Sequence, residues 1–342
     1  MAQHFLMSAK ARTISPRTAL AMSDDEARTK FAEMRWGNAT VQVCPHCGVI
    51  ASHRFVKLQD RWRCRKCYKA FSVTSGTVFS NHKLPLQVIL AGIVNYANAV
   101  KGISALQMAR DLDVQYKTAF VLLHKLRETI WKNKETDKLE GEVEIDGGYV
   151  HTYVRPKNQK EDRVDRTLAE NQNPSKRVVL VMRERHQLGV KVGAAGAKRT
   201  RIFILKSENQ NDIMKLAREH IARSATIFTD EATGYALLSA GWNHRVVNHS
   251  ANYRAKCGAN QNQAESYIAR FRRLMRGQIH KLHPKYLDVY ASEIAYREDN
   301  RREANGTFVN NLLRMCGNTG PSRDWSKYWQ GNKRETDSLI SC

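Results

Sequence analysis

Two sets of side chains in this sequence could hold metal ions, each of a different kind. The first is Cys44-Pro45-His46-Cys47 followed by Cys64-Arg65-Lys66-Cys67. A two-residue spacer lets both thiolates of a pair reach one ion from a tight turn. The 16 residues between the pairs are enough for a short hairpin. Four thiolates close a tetrahedral Zn2+ site and leave no position open, so this zinc would be structural. A redox motif would not need the second pair. His46 is expected to turn its ring away from the metal. The second set is acidic: Asp146 in Val143-Glu144-Ile145-Asp146-Gly147-Gly148, Asp230 in Thr229-Asp230-Glu231, and Glu265 in Asn262-Gln263-Ala264-Glu265. Carboxylate oxygens suit hard divalent ions such as Mg2+ or Mn2+. Two such ions about 3.5–4 Å apart can activate an attacking oxygen and stabilise a leaving one. A single strand-end Asp or helix Glu is ordinarily a solvated surface group. Asp146 differs because Gly147 and Gly148 let the backbone turn beside it.

For those acids to meet, the chain must fold so that distant segments converge. From Gly141 onward short β-rich runs alternate with helices. Strands are expected at Glu142–Val150, Arg177–Arg183, Arg201–Leu205, Thr226–Thr229 and His244–Asn248, and helices near Gln210–Arg223, Thr233–Ala240, Asn262–Met275 and Lys285–Arg297. That order is the one found in α/β ribonuclease-H-like domains, where acids in the first strand, after the fourth strand and on a late helix come together. Residues 153–176 are polar and aperiodic and read as a mobile loop.

The N-terminal part has a different texture. Residues 1–22 read as a mobile arm, and Ser23-Asp24-Asp25-Glu26 as a capping box opening a helix to about Met34. The cysteine segment contains the strand-like run Phe71-Ser72-Val73-Thr74, with a turn at Gly76. A helix at 86–98 follows Pro85. Ile103, Leu106, Ala109 and Leu112 then mark one apolar face, with Ser104 as cap, Gln107 completing the box and Ile103 able to staple onto Met108. Asp113-Val114 is a turn, and Ala119, Leu122, Leu123, Leu126 and Ile130 are the inner face of the next helix. This matches a helix-turn-helix, with a plain three-helix packing module as the alternative. Gln115, Tyr116 and Lys117 would then face base edges in a major groove. The domains expected are an arm and short helix (1–40), a zinc ribbon (41–82), a helix-turn-helix (83–135), a charged linker near 132–141, a catalytic domain (141–315) and a tail of unassigned role (316–342).

Lys and Arg number 56 against 33 Asp and Glu, a formal charge of +23. A cationic surface of that size selects polyanionic partners, since binding to nucleic acid releases condensed counterions. The charge is dense around the cysteines, at Arg54, Lys57, Arg61, Arg63, Arg65, Lys66 and Lys69, interleaved with Phe55, Trp62 and Tyr68. The basic side chains read as a clamp on DNA backbone, or more blandly as a solvated, basic knuckle on a core of three aromatics. The longest apolar stretch, Leu86 to Val100, is broken by Gln87, Asn95 and Asn98, so no membrane span is expected. No secretory signal is expected either. Seven cysteines, three of them scattered (Cys257, Cys316 and Cys342), suit metal binding in a reducing cytoplasm, near the nucleoid, rather than a disulfide framework.

With these motifs in place, the chain resembles the insertion-sequence transposases of the DDE class, in the ISXO-like branch with an N-terminal zinc ribbon. The pieces that match are Arg35-Trp36-Gly37 leading to the first cysteine pair, Phe71 to Thr77, Glu144-Ile145-Asp146, and Thr229-Asp230 with Tyr235. Asn248-His249-Ser250, Asn262 to Glu265 with Arg272, and Tyr286-Leu287-Asp288 leading to Tyr296-Arg297 complete the set. The resemblance runs from about residue 30 to 300. It implies a homo-oligomer that binds double-stranded DNA, both element ends and target, and performs metal-dependent strand cleavage and transfer. Asp146, Asp230 and Glu265 would hold the catalytic Mg2+ or Mn2+. Glu265 lies 35 residues after Asp230, a spacing that many DDE enzymes share. Arg272 stands where similar proteins often carry a Lys on a DNA phosphate. Asn262 stands where the family places an Asn that serves as the third active-site residue in many members. Glu265 is favoured for that role because an ionised carboxylate binds a divalent ion better than an amide does. Where the family commonly has Glu after the first Asp, this chain has Gly147. The competing readings are a catalytically silent zinc-ribbon and helix-turn-helix regulator, and a structural zinc protein on RNA. The acids in order argue against the first, and the lack of an RNA-reading module argues against the second.

Overall fold

The computed structural model describes residues 5–150, 157, 159–165, 176–186, 197–247, 261–280, 282–332 and 334. The chain divides into two compact units, one of residues up to Lys134 together with Arg302–Arg334, the other of Glu135–Arg301.

In the first unit Ser15 caps a short helix, α1 (Pro16–Leu20), its Oγ accepting from the Thr18 amide. Ser23 caps α2 (Asp24–Trp36) through the capping box read from the sequence. Its Oγ accepts from Glu26 N, and the Glu26 carboxylate accepts from Ser23 N at 2.7 Å. The helix runs two residues beyond Met34 and stops at Gly37, whose φ of 72° suits a residue without Cβ. The ribbon follows as two small antiparallel sheets. β1 (Gln42–Val43) pairs with β2 (Ile50–Ala51); β3 (Arg54–Val56), β4 (Arg61–Arg63) and β5 (Ala70–Phe71) form the other.

The aromatic core of the ribbon is not the expected trio. Trp62 is buried against Phe71 and against Trp36 of α2, with ring centroids 6.0 and 5.5 Å away, and Phe55 is half-buried beside it at 5.3 Å. Tyr68 is 67% exposed, because it lies in a tight turn at φ 60° and outside the strand pairing. The run Ser72-Val73-Thr74 also leaves the strand. Ser75 Oγ accepts from Ser72 N at 2.9 Å, and the Arg35 guanidinium donates to the carbonyls of Val73 and Ser75 at 2.7 and 2.8 Å. Local turn hydrogen bonds override β-propensity there.

Three helices come next: α3 (Leu86–Asn98), α4 (Ala105–Asp111) and α5 (Tyr116–Lys132). Ser104 caps α4, accepting from Gln107 N at 3.1 Å, and Asp113 turns the chain at φ 50°. Met108 and Ala109 of α4 are buried, as are Leu122, Leu123, Leu126 and Ile130 of α5 and Ile89, Leu90 and Ile93 of α3. Each large aliphatic side chain so buried contributes about 1.5–3 kcal/mol. Leu106 is 51% exposed, contrary to the apolar stride read from the sequence. A stride of three drifts around a helix of 3.6 residues per turn, and the inward face passes through Met108 instead. Gly92 marks where α3 approaches α5, since a Cβ there would lie 2.8 Å from Leu122 Cδ2.

The second unit is a five-stranded sheet with helices on both faces. β6 (Glu142–Val150), β7 (Arg177–Arg185) and β8 (Ala197–Leu205) form an antiparallel meander. After α6 (Gln210–His220), β9 (Thr226–Thr229) runs parallel to β6 on its other side. A 3-10 segment (Thr233–Ala240) then leads to β10 (Asn243–Val246), parallel to β9. The spatial order is β10-β9-β6-β7-β8. One face buries Val143, Ile145, Leu180, Met182 and Ile227 under Ile213, Leu216 and Ala217 of α6. On the other face α7 (Asn262–Leu274) packs on β6 and β7, and α8 (Leu287–Asp299) packs on β8. Leu139, expected in a charged linker, is fully buried and bridges to Ile221, so this unit begins before Gly141. Most of the loop expected at 153–176 lies outside the described residues, as do Asn248-His249-Ser250 and Cys257.

Beyond Asp299 the chain goes back to the first unit. α9 (Asn305–Asn318) packs on α2, α3 and α5 and buries Phe308, Val309, Leu312, Leu313 and Cys316. The catalytic domain was expected to run to residue 315; the units divide at 301/302 instead. The expected mobile arm is tied down by the same helix. Asn305 Oδ1 accepts from Thr13 N at 2.9 Å, its amide donates to Ile14 O at 2.7 Å, and α1 packs on α3.

Candidate functional site

The acidic site is built where β6 and β9 part. Their parallel register sets Glu142 opposite Thr226 and Glu144 opposite Phe228. Continued by two residues, the same offset brings Asp146 level with Asp230, which follows the end of β9. Alternation along the strand puts Asp146 on the same face as Glu144, the face that α7 covers. Glu144 is fully buried and accepts from the amides of Gln263 and Ala264 at 2.8 and 2.9 Å. These are amides that a helix start leaves open, so the carboxylate pins α7 to the sheet. Arg185 Nε donates to the other Glu144 oxygen at 2.6 Å, and Gln261 Nε2 donates to Ile145 O at 3.0 Å. Pinned there, the first turn of α7 carries Glu265 within electrostatic reach of Asp146.

The electrostatics report the convergence. Burial, and then the charges of Asp230, Glu208 and Glu265, push the Asp146 carboxyl up to about 7. The Gly147 amide, donating to Asp146 Oδ1 at 2.8 Å, works in the opposite direction. Asp230 Oδ1 accepts from Ala232 N at 3.0 Å. The three acids singled out in the sequence therefore share one field. Asn262 and Arg272 are exposed on α7, at its first and last turns.

Glu208 is the member that sequence reasoning missed. It stands between β8 and α6, half-buried, and the Tyr235 hydroxyl donates to its Oε1 at 2.7 Å. Burial raises its pKa, the Tyr235 bond opposes that, and Asp230 adds to it. Two glycines make room for it. A Cβ on Gly147 would lie 1.7 Å from Glu208 Oε1, and one on Gly234 would lie 3.0 Å from the Glu208 carbonyl oxygen. The Gly147 that departs from the family pattern thus leaves space for a carboxylate from elsewhere in the chain. The signal in the sequence was Gly147 itself, but nothing local named its partner. Oxygen donors of this kind fit a hard divalent cation. The acids face one another at longer range than the thiols do: among the described residues, only the four cysteines gather their ligand atoms within 4.8 Å of one another.

Those cysteines sit on two knuckles of the same design. Cys44 N donates to Val49 O at 3.0 Å, and Gly48 N donates to Cys44 O at 2.9 Å. Cys64 N donates to Lys69 O at 3.0 Å, and Tyr68 N donates to Cys64 O at 3.1 Å. Gly48 at φ 73° and Tyr68 at φ 60° close the two turns in the same left-handed way. Sγ of Cys44 lies 3.7 Å from that of Cys67, and Sγ of Cys47 lies 3.6 Å from that of Cys64. Four sulfurs so placed fit a tetrahedral Zn2+. His46 Nε2 pairs with Ala70 O at 3.3 Å, so its ring is engaged away from the sulfurs, as expected.

The candidate DNA-contacting residues are all at the surface. Arg61 and Arg63 are exposed on one face of β4 while Trp62 is buried on the other, and Arg65 and Lys66 are exposed on the second knuckle. Gln115, Tyr116 and Lys117 are exposed at the start of α5, with the Tyr116 ring stacked 6.0 Å from Phe120. Among the described residues no helix is long and apolar enough to cross a membrane.

Residues 138–299 match the ISXO2-like transposase domain, and residues 22–70 match the transposase zinc-ribbon domain. A protein of Halobacterium salinarum described as an uncharacterized protein in transposable element ISH50 is 23% identical over 264 residues. The alignment covers 74% of this chain and 83% of the relative. Among solved structures, the Mos1 strand transfer complex has 13% identity and a TM-score of 0.23, covering 72% of this chain and 79% of that one. The Mos1 transposase paired-end complex with left transposon end has 14% identity and a TM-score of 0.19, covering 68% and 79%.

Proposed function

The chain belongs to the ISXO2-like transposases with a zinc ribbon, and from that premise we propose that it binds insertion-sequence ends and catalyses metal-dependent cleavage and transfer of DNA strands. The observation that supports this reading is the β6/β9 register, whose continuation sets Asp146 level with Asp230, together with the electrostatic influence of Asp230 and Glu265 on Asp146 and a helix α7 pinned by Glu144. An antiparallel three-strand meander with two further parallel strands on the side of its first strand supports the ribonuclease-H-like assignment.

Asp146, Asp230 and Glu265 would hold Mg2+ or Mn2+, with Glu208 beside them. When bound, such ions supply charge neutralisation at the scissile phosphate and activate an oxygen nucleophile. The chain's own residues hold the carboxylates at fixed positions. Glu144 and Gln261 anchor α7, and the Tyr235 hydroxyl orients Glu208. Arg272, exposed on α7, is suited to a phosphate of the strand being joined. Cys44, Cys47, Cys64 and Cys67 would hold a structural Zn2+ that keeps the basic face of the ribbon in shape. Gln115, Tyr116 and Lys117 open the recognition helix of a helix-turn-helix, and Arg61, Arg63, Arg65 and Lys66 grip phosphates without reading bases. Two element ends must be brought together, so the working form is a homo-oligomer on DNA.

A strand-transfer assay with the element ends and Mg2+ or Mn2+ tests the reading. Asp146→Ala, Asp230→Ala and Glu265→Ala should each abolish cleavage and joining while DNA binding survives. Asn262→Ala should reduce activity less than Glu265→Ala does; the reverse order moves the third role to Asn262. Full activity in the Asp146 and Asp230 variants would end the catalytic assignment and leave a DNA-binding regulator.

A further inference from the structure

Within the first unit, a cavity of about 720 Å3 opens between the start of α5, residues Ser80–Leu84 and the segment Trp325–Gln330. Lys83, Lys117, Lys125 and Lys327 line it, and among the described residues no acidic side chain does. Lys125 is the unusual one. It is only 4% exposed, yet among the described residues its ammonium has no hydrogen-bond or ion-pair partner. Glu128, the acid that acts on it, gives its Oε1 to Lys132 Nζ. The stem of Lys125 is buried while its ammonium is set in the cavity wall, with Glu128 acting on it only at longer range; a partly desolvated cation so placed favours an anion from outside.

The rest of the lining is largely aromatic and packs on α5. Trp325 is buried and stacks on His124 of α5, ring centroids 4.3 Å apart, and Tyr328 lies 5.6 Å from Phe120. That clamp presents Trp329, which is 76% exposed, at the rim. Lysines around an exposed indole match the two halves of a nucleotide: a phosphate for the cations and a flat base for the ring. A cavity of this volume admits a group of that size and not a duplex.

We propose that this cavity takes one unpaired nucleotide of a DNA strand, its phosphate on Lys125 and the neighbouring lysines and its base against Trp329. The inference rests on the DNA-binding reading above, and adds to it a strand-end pocket beside the recognition helix. It also gives the C-terminal segment, to which the sequence assigned no role, a part in holding DNA.

The test uses the full zinc-loaded chain and two duplexes of one sequence, one blunt and one with a short single-stranded tail carrying 2-aminopurine. Wild type should prefer the tailed duplex and quench the 2-aminopurine. Lys125→Met and Trp329→Ala should each weaken binding to the tailed duplex by roughly tenfold or more, leave the blunt duplex within about twofold, and for Trp329→Ala abolish the quench. Thermal melting of both variants at or above wild type keeps misfolding from imitating the result. If the tail adds nothing to wild-type affinity, or both duplexes lose affinity equally in the variants, the pocket is refuted while DNA binding by the ribbon and α5 stands. If wild type binds neither duplex, the DNA-binding reading falls as well.

Discussion

Gly147 and Glu208 compete for one place. A side chain on the strand residue next to Asp146 would displace the Glu208 carboxylate, which lies 1.7 Å from where its Cβ would be. Gly147→Ala should therefore leave the sheet intact, since the end of a side chain can swing away, but should displace Glu208 from the other acids. Displacing a group that supports a metal site costs about 10–100-fold in activity or metal affinity. Strand transfer and Mn2+ titration would both register it, and unchanged values in both would make Glu208 a bystander. Lys125 gives a second prediction at this scale. Burial pulls its ammonium down to about 8, with Glu128 opposing. Its folded pKa lies below the unfolded value of 10.5, so the penalty for the buried charge is full below pH 8 and disappears as pH rises toward 10.5. Stability of the wild type should rise across that window. Lys125→Met should be more stable at pH 7, by roughly 3 kcal/mol at most, and should lack the rise. Denaturant unfolding at pH 7 and pH 10 measures both, and parallel profiles for the two proteins would show that the charge is solvated.

In the proposed reading the ribbon and α5 use opposite devices on DNA. β4 alternates, so Arg61 and Arg63 stand clear on one side while Trp62 holds the core on the other. Those arginines are long, mobile charges suited to phosphates. Replacing Arg61, Arg63 and Arg65 with Ala should lower affinity for all sequences alike and reduce the salt dependence, by about 0.9 in slope for each phosphate no longer neutralised. The start of α5 is a fixed frame, because Leu122, Leu123 and Leu126 bury the opposite face of the helix. Gln115→Ala with Tyr116→Ala should therefore narrow the gap between element-end and random DNA with little change in salt slope. Binding isotherms over a salt series separate the two effects. Undiminished discrimination in the α5 variant would remove its recognition role.

At the scale of the molecule, the first unit is completed by a helix that comes after the second unit in the sequence. Leu312 of α9 is fully buried, and α9 rests on α2, α3 and α5. Leu312→Ala should cost about 2–5 kcal/mol, as deletion of a buried aliphatic side chain does. The destabilisation should fall on the first unit. Hydrogen exchange should quicken in α2, α3 and α5 while β6, β7 and β8 keep their protection. Faster exchange confined to the sheet would contradict the division of the chain at residue 301.

The sequence by itself determined what is local. The Cys-x-x-Cys spacing specifies two knuckles, Ser23 and Glu26 specify a helix start, and short β-rich runs specify β6 and β9, whose bounds the structure reproduces. It also singled out Asp146, Asp230 and Glu265, because their places along the element order imply a meeting point. Tertiary structure alone decided the pairings made by packing at long range. Glu208 meets Gly147 across 61 residues, and Asn305 ties down Thr13 across 292. The apolar stripe of α9 is visible in its spacing, but a stripe does not name the surface it will cover. Periodicity records that a side chain must leave water; which neighbour receives it depends on shape and on buried polar groups being satisfied, and those exist only once the chain has closed on itself.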